Sequence, residues 1–168
     1  MKHVILAAAA FCAVQNLQAA NVSTTMVNTV TVANSCTVST TGFTTTYDPL
    51  NANASANQDV SASVSTTCSL AAAAVITLSQ GANAASGSSD AAPQRRLSNG
   101  AATPAYLSYT LYKDSGRSTV WGNTSLTGVP LVGTGAGATT NVYARIPSGQ
   151  TPGVTGTFTD SVMVTVTY

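Results

Sequence analysis

Along most of this chain apolar side chains return at every second residue, in short runs broken by Gly, Pro, Asn, Asp and Ser. The clearest run is "TFTDSVMVTVTY". There Val162, Val164, Val166 and Tyr168 alternate with Ser161, Met163, Thr165 and Thr167, and a period of two marks a half-buried β-strand. "NVSTTMVNTVTV" alternates in the same way. Val22, Thr24, Met26, Asn28, Val30 and Val32 fall on one face, while the other is mostly Ser and Thr. The same reading predicts strands over 21–32, 35–40, 42–47, 59–68, 73–79, 95–98, 105–114, 118–122, 128–133, 139–147 and from 157 onward. Short strands at this spacing, with turn residues between them, predict an all-β sandwich. "AAAAV" at 71–75 favours helix, but it runs directly into the strand-like "VITLSQG". The Ala-, Ser-, Asn- and Gly-rich stretch 80–104 reads as a surface loop, because neither side of it alone holds enough strands for a domain. In "AYLSYTLYKD", Leu107, Tyr109 and Leu111 share one face, opposite Tyr106 and Tyr112. Core packing accounts for these aromatics and for Trp121 better than a sugar-binding platform does.

The first twenty residues break this rhythm. "MKHVILAAAAFCAVQNLQAA" has a basic start at Lys2 and His3, then an apolar run too short to span a bilayer. Small residues follow, suited to cleavage after Ala19 or Ala20. These are the parts of a secretory signal, so residues 1–20 are expected to be removed on export.

Export changes the meaning of the cysteines. Cys12 leaves with the signal, so Cys36 and Cys68 are expected to form a disulfide. Charge is sparse: 7% of residues, with net charge +1 over the whole chain. Without Lys2 the five cations (Arg95, Arg96, Lys113, Arg117 and Arg145) balance five scattered aspartates. No basic patch suggests nucleic acid, and so little charge suits a protein that ends up packed in an assembly.

Catalytic chemistry has little to work with. Beyond residue 20 the chain has no His and no Glu, and no thiol remains free once the two cysteines pair. Histidine-based triads and almost every zinc site are thereby excluded, and no cofactor or metal is expected. Asp48, Asp59, Asp114 and Asp160 each fall near a strand end or turn, where Asp is common for backbone reasons. Asp114-Ser115-Gly116 matches the D-[ST]-G pattern of aspartic proteases, whose chemistry needs two carboxylates sharing a proton. Between two strand-like runs it reads as a hairpin turn. "GTGAG" at 133–137 is likewise a turn, with no helix behind it to hold a phosphate. The glycosylation acceptor triplets at Asn21, Asn53 and Asn123 are assigned no role.

Five stretches carry a resemblance: "NVSTTMVNTVTVANSCTV", "RRLSNG", "LSYTLYKDSGRSTVWG", "VYARIPSGQ" and "GTFTDSVMVTVTY". Together they resemble the spore coat protein U domain family, whose best-known members are subunits of archaic (Csu-type) chaperone–usher pili. The Tyr-rich strand followed by "WG" and the ending G-x-aromatic-x-D before alternating valines are the most specific parts. The resemblance implies an incomplete immunoglobulin-like β-sandwich, completed by donor-strand complementation. It implies a domain at 35–168 preceded by a donor-strand segment at 21–34. Val162, Val164, Val166 and Tyr168 would then form the strand that meets the chaperone or the incoming donor. Val22, Met26, Asn28, Val30 and Val32 would be donor residues for another copy. Burying Met26, Val30 and Val32 would contribute roughly 5 to 9 kcal/mol at 1.5 to 3 per side chain. Asn28 departs from the apolar series, since a buried amide needs a partner. The implied partners are a periplasmic chaperone, an outer-membrane usher and neighbouring pilin subunits. The implied location is a cell-surface fimbrium reached through the periplasm, serving attachment and biofilm formation. Three alternatives stay open: the segment 21–32 completes its own sandwich, the protein is a secreted spore- or cell-coat component, or it is a soluble carbohydrate-binding module.

Overall fold

The computed structural model describes residues 18–168. Most of the expected signal, residues 1–17, lies outside the described residues. The chain divides into two units, residues 1–32 and 33–168. In the first, residues 18–32 have no regular secondary structure, and Val22, Met26, Asn28, Val30 and Val32 are exposed. The strand predicted over 21–32 is therefore not formed in the single chain. Alternation selects a face, but a strand also needs a neighbour to take its backbone hydrogen bonds.

The second unit is all-β apart from one short turn of helix. In chain order it holds β1 (Cys36–Thr41), α1 (Ala52–Ser55), β2 (Gln58–Cys68), β3 (Ala73–Leu78), β4 (Arg95–Ser98), β5 (Tyr106–Tyr112), β6 (Val129–Val132), β7 (Gly137–Ile146) and β8 (Val164–Thr167). A five-stranded sheet in the order β1-β2-β7-β5-β4 faces a three-stranded sheet in the order β6-β3-β8, as in an immunoglobulin-like sandwich. Every pairing is antiparallel. The longest ladder joins β2 to β7, from Gln58 opposite Ile146 to Thr67 opposite Gly137.

The period of two is realised where a ladder exists. On β5, Leu107, Tyr109 and Leu111 are buried, as the sequence implies. Tyr109 and Leu111 meet Val64, Ile76, Leu78, Val142, Ala144 and Ile146 in one core. Trp121 is fully buried in that core, and its Nε1 donates to the Ile76 carbonyl at 3.0 Å. Gly122 follows it because nothing larger fits: an added Cβ would lie 2.6 Å from the Asp90 carbonyl oxygen. The family-like "WG" is thus a packing motif. Asn53, one of the acceptor triplets, is buried and accepts from the Asp48 backbone N–H at 2.8 Å.

Three predicted elements differ. Residues 42–47 form no strand, although Phe43, Thr45 and Tyr47 are half-buried while Gly42, Thr44 and Thr46 are exposed. Residues 118–122 contribute only an isolated bridge, Val120 opposite Tyr112. The last strand begins at Val164, while residues 157–163 keep their alternation but pair only through Thr159 opposite Ser98. In 42–47 and 157–163 the faces follow the sequence although no full ladder forms, whereas 118–122 buries Trp121 and Gly122 side by side. At the far edge of the smaller sheet, β6 pairs with β3 alone, and exposed Pro130 stands opposite Val75.

Candidate functional site: an open groove between the first and last strands

β1 and β8 are both edge strands, and the start of β1 lies near the end of β8. The disulfide joins Cys36 to Cys68 across the β1–β2 ladder, with 4.1 Å between Cα atoms. Around it Cys68, Ala72 and Ala74 are buried, with Cys36, Leu131 and Val166 packed against them. Small side chains allow the sheets to close here. Beyond Thr40 and Val164 they do not. A groove of about 750 Å³ opens over the core, with Val64, Leu111, Val142 and Ile146 among its floor residues. One rim is 42–47 and the other runs from Pro152 to Val162.

Both rims are held in place by side-chain and backbone bonds. Tyr47 fixes the first: its hydroxyl donates to the Pro147 carbonyl at 2.8 Å and accepts from the Gln150 N–H at 3.0 Å. Phe43 packs edge-on to Tyr109, with ring centroids 5.9 Å apart. The second rim is tied down near β8, where the Ser79 N–H donates to the Met163 carbonyl and the Ala82 N–H to the Ser161 carbonyl. Asp160 completes the fixing. Its Oδ1 accepts from the Asn83 backbone N–H at 3.1 Å and from Asn83 Nδ2 at 3.2 Å, and its Oδ2 accepts from the Tyr109 hydroxyl at 2.8 Å. Burial, with the adjacent Asp160 carboxylate, pushes the Tyr109 phenol up, so it remains a donor.

What the rims lack is equally informative. Neither 42–47 nor 151–158 makes a backbone–backbone hydrogen bond among the described residues. β8 pairs with β3 on one side only. Two lengths of backbone therefore lie beside an apolar trough with no strand partner, a geometry that pairs readily with an added strand.

The sequence-derived residues fall as follows. Val162 and Val164 line the groove. Val166 instead packs at the closed, disulfide end, and Tyr168 is 55% exposed and outside the groove lining. The donor candidates Val22, Met26, Asn28, Val30 and Val32 lie in the first unit. Sequence reasoning missed Phe43 and Tyr47 as rim anchors. It also treated Asp160 as an ordinary turn residue. The signal for Asp160 was present, since it holds an inward place in the series Phe158, Asp160, Val162, Val164 and Val166.

A buried cation near the groove also went unread. Arg95 on β4 is 1% exposed, and donates through Nε to the Ser79 carbonyl and through Nη2 to those of Leu78 and Trp121, all within 2.9 Å. It thereby bridges the two sheets, and burial pushes its pKa down to about 10, so it keeps its charge at neutral pH. Asp114 behaves as the turn reading requires: its carboxylate accepts from the N–H groups of Ser118 and Thr119, which hold it at a pKa of about 2.

Residues 21–165 match the Spore Coat Protein U domain. The chain is similar to Protein U of Myxococcus xanthus, with 43% identity over 125 residues, covering 73% of this chain and 69% of that protein. Among solved structures it is similar in fold to a chain of the CsuC–CsuE chaperone–tip adhesion subunit pre-assembly complex, from archaic chaperone–usher Csu pili of Acinetobacter baumannii. That match has a TM-score of 0.53 at 18% identity and covers 82% of this chain. The chain spans 40% of the length of that structure's chain.

Proposed function

Because the chain belongs to the Spore Coat Protein U domain family, we propose that it is a structural subunit of a chaperone–usher fimbria that polymerises by donor-strand exchange. The supporting observation is the groove: an apolar trough whose two rims carry unpaired backbone. A strand laid there would gain hydrogen bonds from both rims and bury apolar side chains against the core. Left empty, the same edge would invite uncontrolled association, which is the reason for a periplasmic chaperone to occupy it before an outer-membrane usher directs exchange. In this reading residues 1–20 direct export, 21–34 donate to the next copy and 35–168 form the accepting sandwich. The polymer stands on the cell surface, where it supports attachment and biofilm formation. Its work is mechanical rather than catalytic.

A second reading has its own support. The curated relative is Protein U, from a family named for the spore coat, at far higher identity than the pilus structure. The same groove would then link subunits within a coat rather than a fibre. Immuno-electron microscopy of the producing cells separates the two, as projecting fibres or as a layer.

The decisive variant deletes residues 22–32. It is expected to co-purify with the chaperone yet form no polymer, and normal polymer from it would overturn donor exchange. Deleting the last four residues, "TVTY", is expected to abolish chaperone capture, because it takes most of β8 and the edge it presents. Wild-type recovery of the complex would remove β8 from the assembly edge.

A further inference from the structure

We propose that Asp160 is the register mark of the groove, accepting a hydrogen bond from the side-chain amide of Asn28 in a second copy of the chain. This rests on the donor-strand reading and adds to it which residue of the donor goes where.

The groove and the donor each contain one anomaly. Among the residues that line the groove, Asp160 alone carries a charge. It lies on the inward side of its segment, in step with Phe158, Val162 and Val164. On the inward face of the donor, Asn28 alone carries an amide, between Met26 and Val30. Each anomaly is costly by itself. A carboxylate covered by an apolar strand loses the water that completed its hydrogen bonding, and a buried amide without a partner does likewise. Placed opposite one another, each satisfies the other.

Asp160 has the capacity for this bond. An ionised carboxylate offers about four acceptor positions, and three are filled, two by Asn83 and one by Tyr109. Arg95 does not take the remainder: its Nε and Nη2 donate to three backbone carbonyls, its buried Nη1 has no hydrogen-bond partner, and among the described residues it forms no salt bridge with Asp160. One acceptor position is thus left for a neutral donor laid in the groove that Asp160 lines.

The pairing also solves a problem that alternating valines leave open. A slip of one residue turns the donor's apolar face outward and is strongly disfavoured. A slip of two keeps the face, and Met26, Val30 and Val32 are similar enough in size to tolerate it. With Asn28 opposite Asp160, a two-residue slip sets Met26 or Val30 against the carboxylate and leaves Asn28 in an apolar place. One polar pair therefore separates registers that the hydrophobic contacts do not, as a single buried Asn does in a coiled coil.

The test uses the full-length subunit with its chaperone and usher, and reads the polymeric fraction. Asn28→Asp sets two carboxylates together and should lower assembly by about tenfold or more, the scale of a lost hydrogen bond to a charged group. Adding Asp160→Asn exchanges carboxylate and amide and should recover most of that loss. It should not rescue Val30→Asp. Equal rescue of both variants, or rescue of neither, overturns the register. Because Asp160→Asn also touches the rim, a second measurement leaves both residues intact. Val162→Cys is paired with a cysteine at Met26, Val30 or Val32, and subunit dimers are scored on non-reducing gels. With Asn28 opposite Asp160, Val162 faces Met26 or Val30 according to strand direction, so one of those pairs should cross-link and Val32 should not. A cross-link at Val32 overturns the proposal. If polymers form without residues 22–32, the donor reading itself fails; if they need the segment but follow neither pattern, only the register fails.

Discussion

β1 and β8 are brought together at one end of their seam and held apart at the other. At the disulfide end the side chains between them are Ala72, Ala74 and the bonded cysteines, with Leu131 and Val166 sealing the side. At the other end the floor is built from Leu111, Val142 and Ile146, and the rims carry Phe43, Tyr47 and Phe158. Small residues let two sheet edges meet, whereas large ones create a surface that needs a further strand to cover it. The difference shows that the opening is local. The sandwich is fully closed where its own residues can close it.

The largest expected effect tests the closed end. Replacing both Cys36 and Cys68 with Ser should lower unfolding free energy by about 3–4 kcal/mol, the loop-closure value for a cross-link of this span. Chemical denaturation of the purified subunit measures it. An unchanged midpoint would mean that packing alone holds the seam shut. The next effect tests the open end. Tyr47→Phe deletes the hydroxyl that bonds Pro147 and Gln150 and should cost about 1–2 kcal/mol. It should also loosen the 42–47 rim, read as faster amide exchange there. Equal protection in both proteins would show that the rim is held by Phe43 instead. The smallest effect lies away from the seam. Asp114 has a folded-state pKa of about 2 against an ordinary 3.8. Its contribution is therefore complete above about 3.8 and fades as pH falls toward 2. Thermal melts of wild type and Asp114→Ala should differ at pH 5 and converge by pH 2. A constant difference would mean that the carboxylate's charge is irrelevant to the turn.

Within residues 33–168 faces were legible in the sequence along most runs of period two: Leu107, Tyr109 and Leu111 are buried as read, and Phe43, Thr45 and Tyr47 point inward even without a ladder. The disulfide followed from the cysteine count and export, and the pair is bonded. Ladders were not legible, because pairing depends on which segment lies alongside. Residues 42–47 carry strand-like alternation and lack that neighbour, residues 157–163 are bonded along one side only, and this is why the groove exists. The inward turn of Asp160 was concealed by residue type, since an acidic residue ahead of a strand reads as a turn. Arg95 gave no signal at all. Its acceptors are backbone carbonyls of Leu78, Ser79 and Trp121, which only the fold brings to it.

Pro130 carries a consequence for the shape of whatever this subunit builds. It sits on β6, the edge of the small sheet opposite β8, and has no N–H to offer a passing strand. The small sheet thus has one border open to a further strand, at β8, and one blunted border. Under the donor exchange proposed above, with one accepting groove and one donating segment, each unit has a valence of two. Such units add end to end, so the product lengthens without branching.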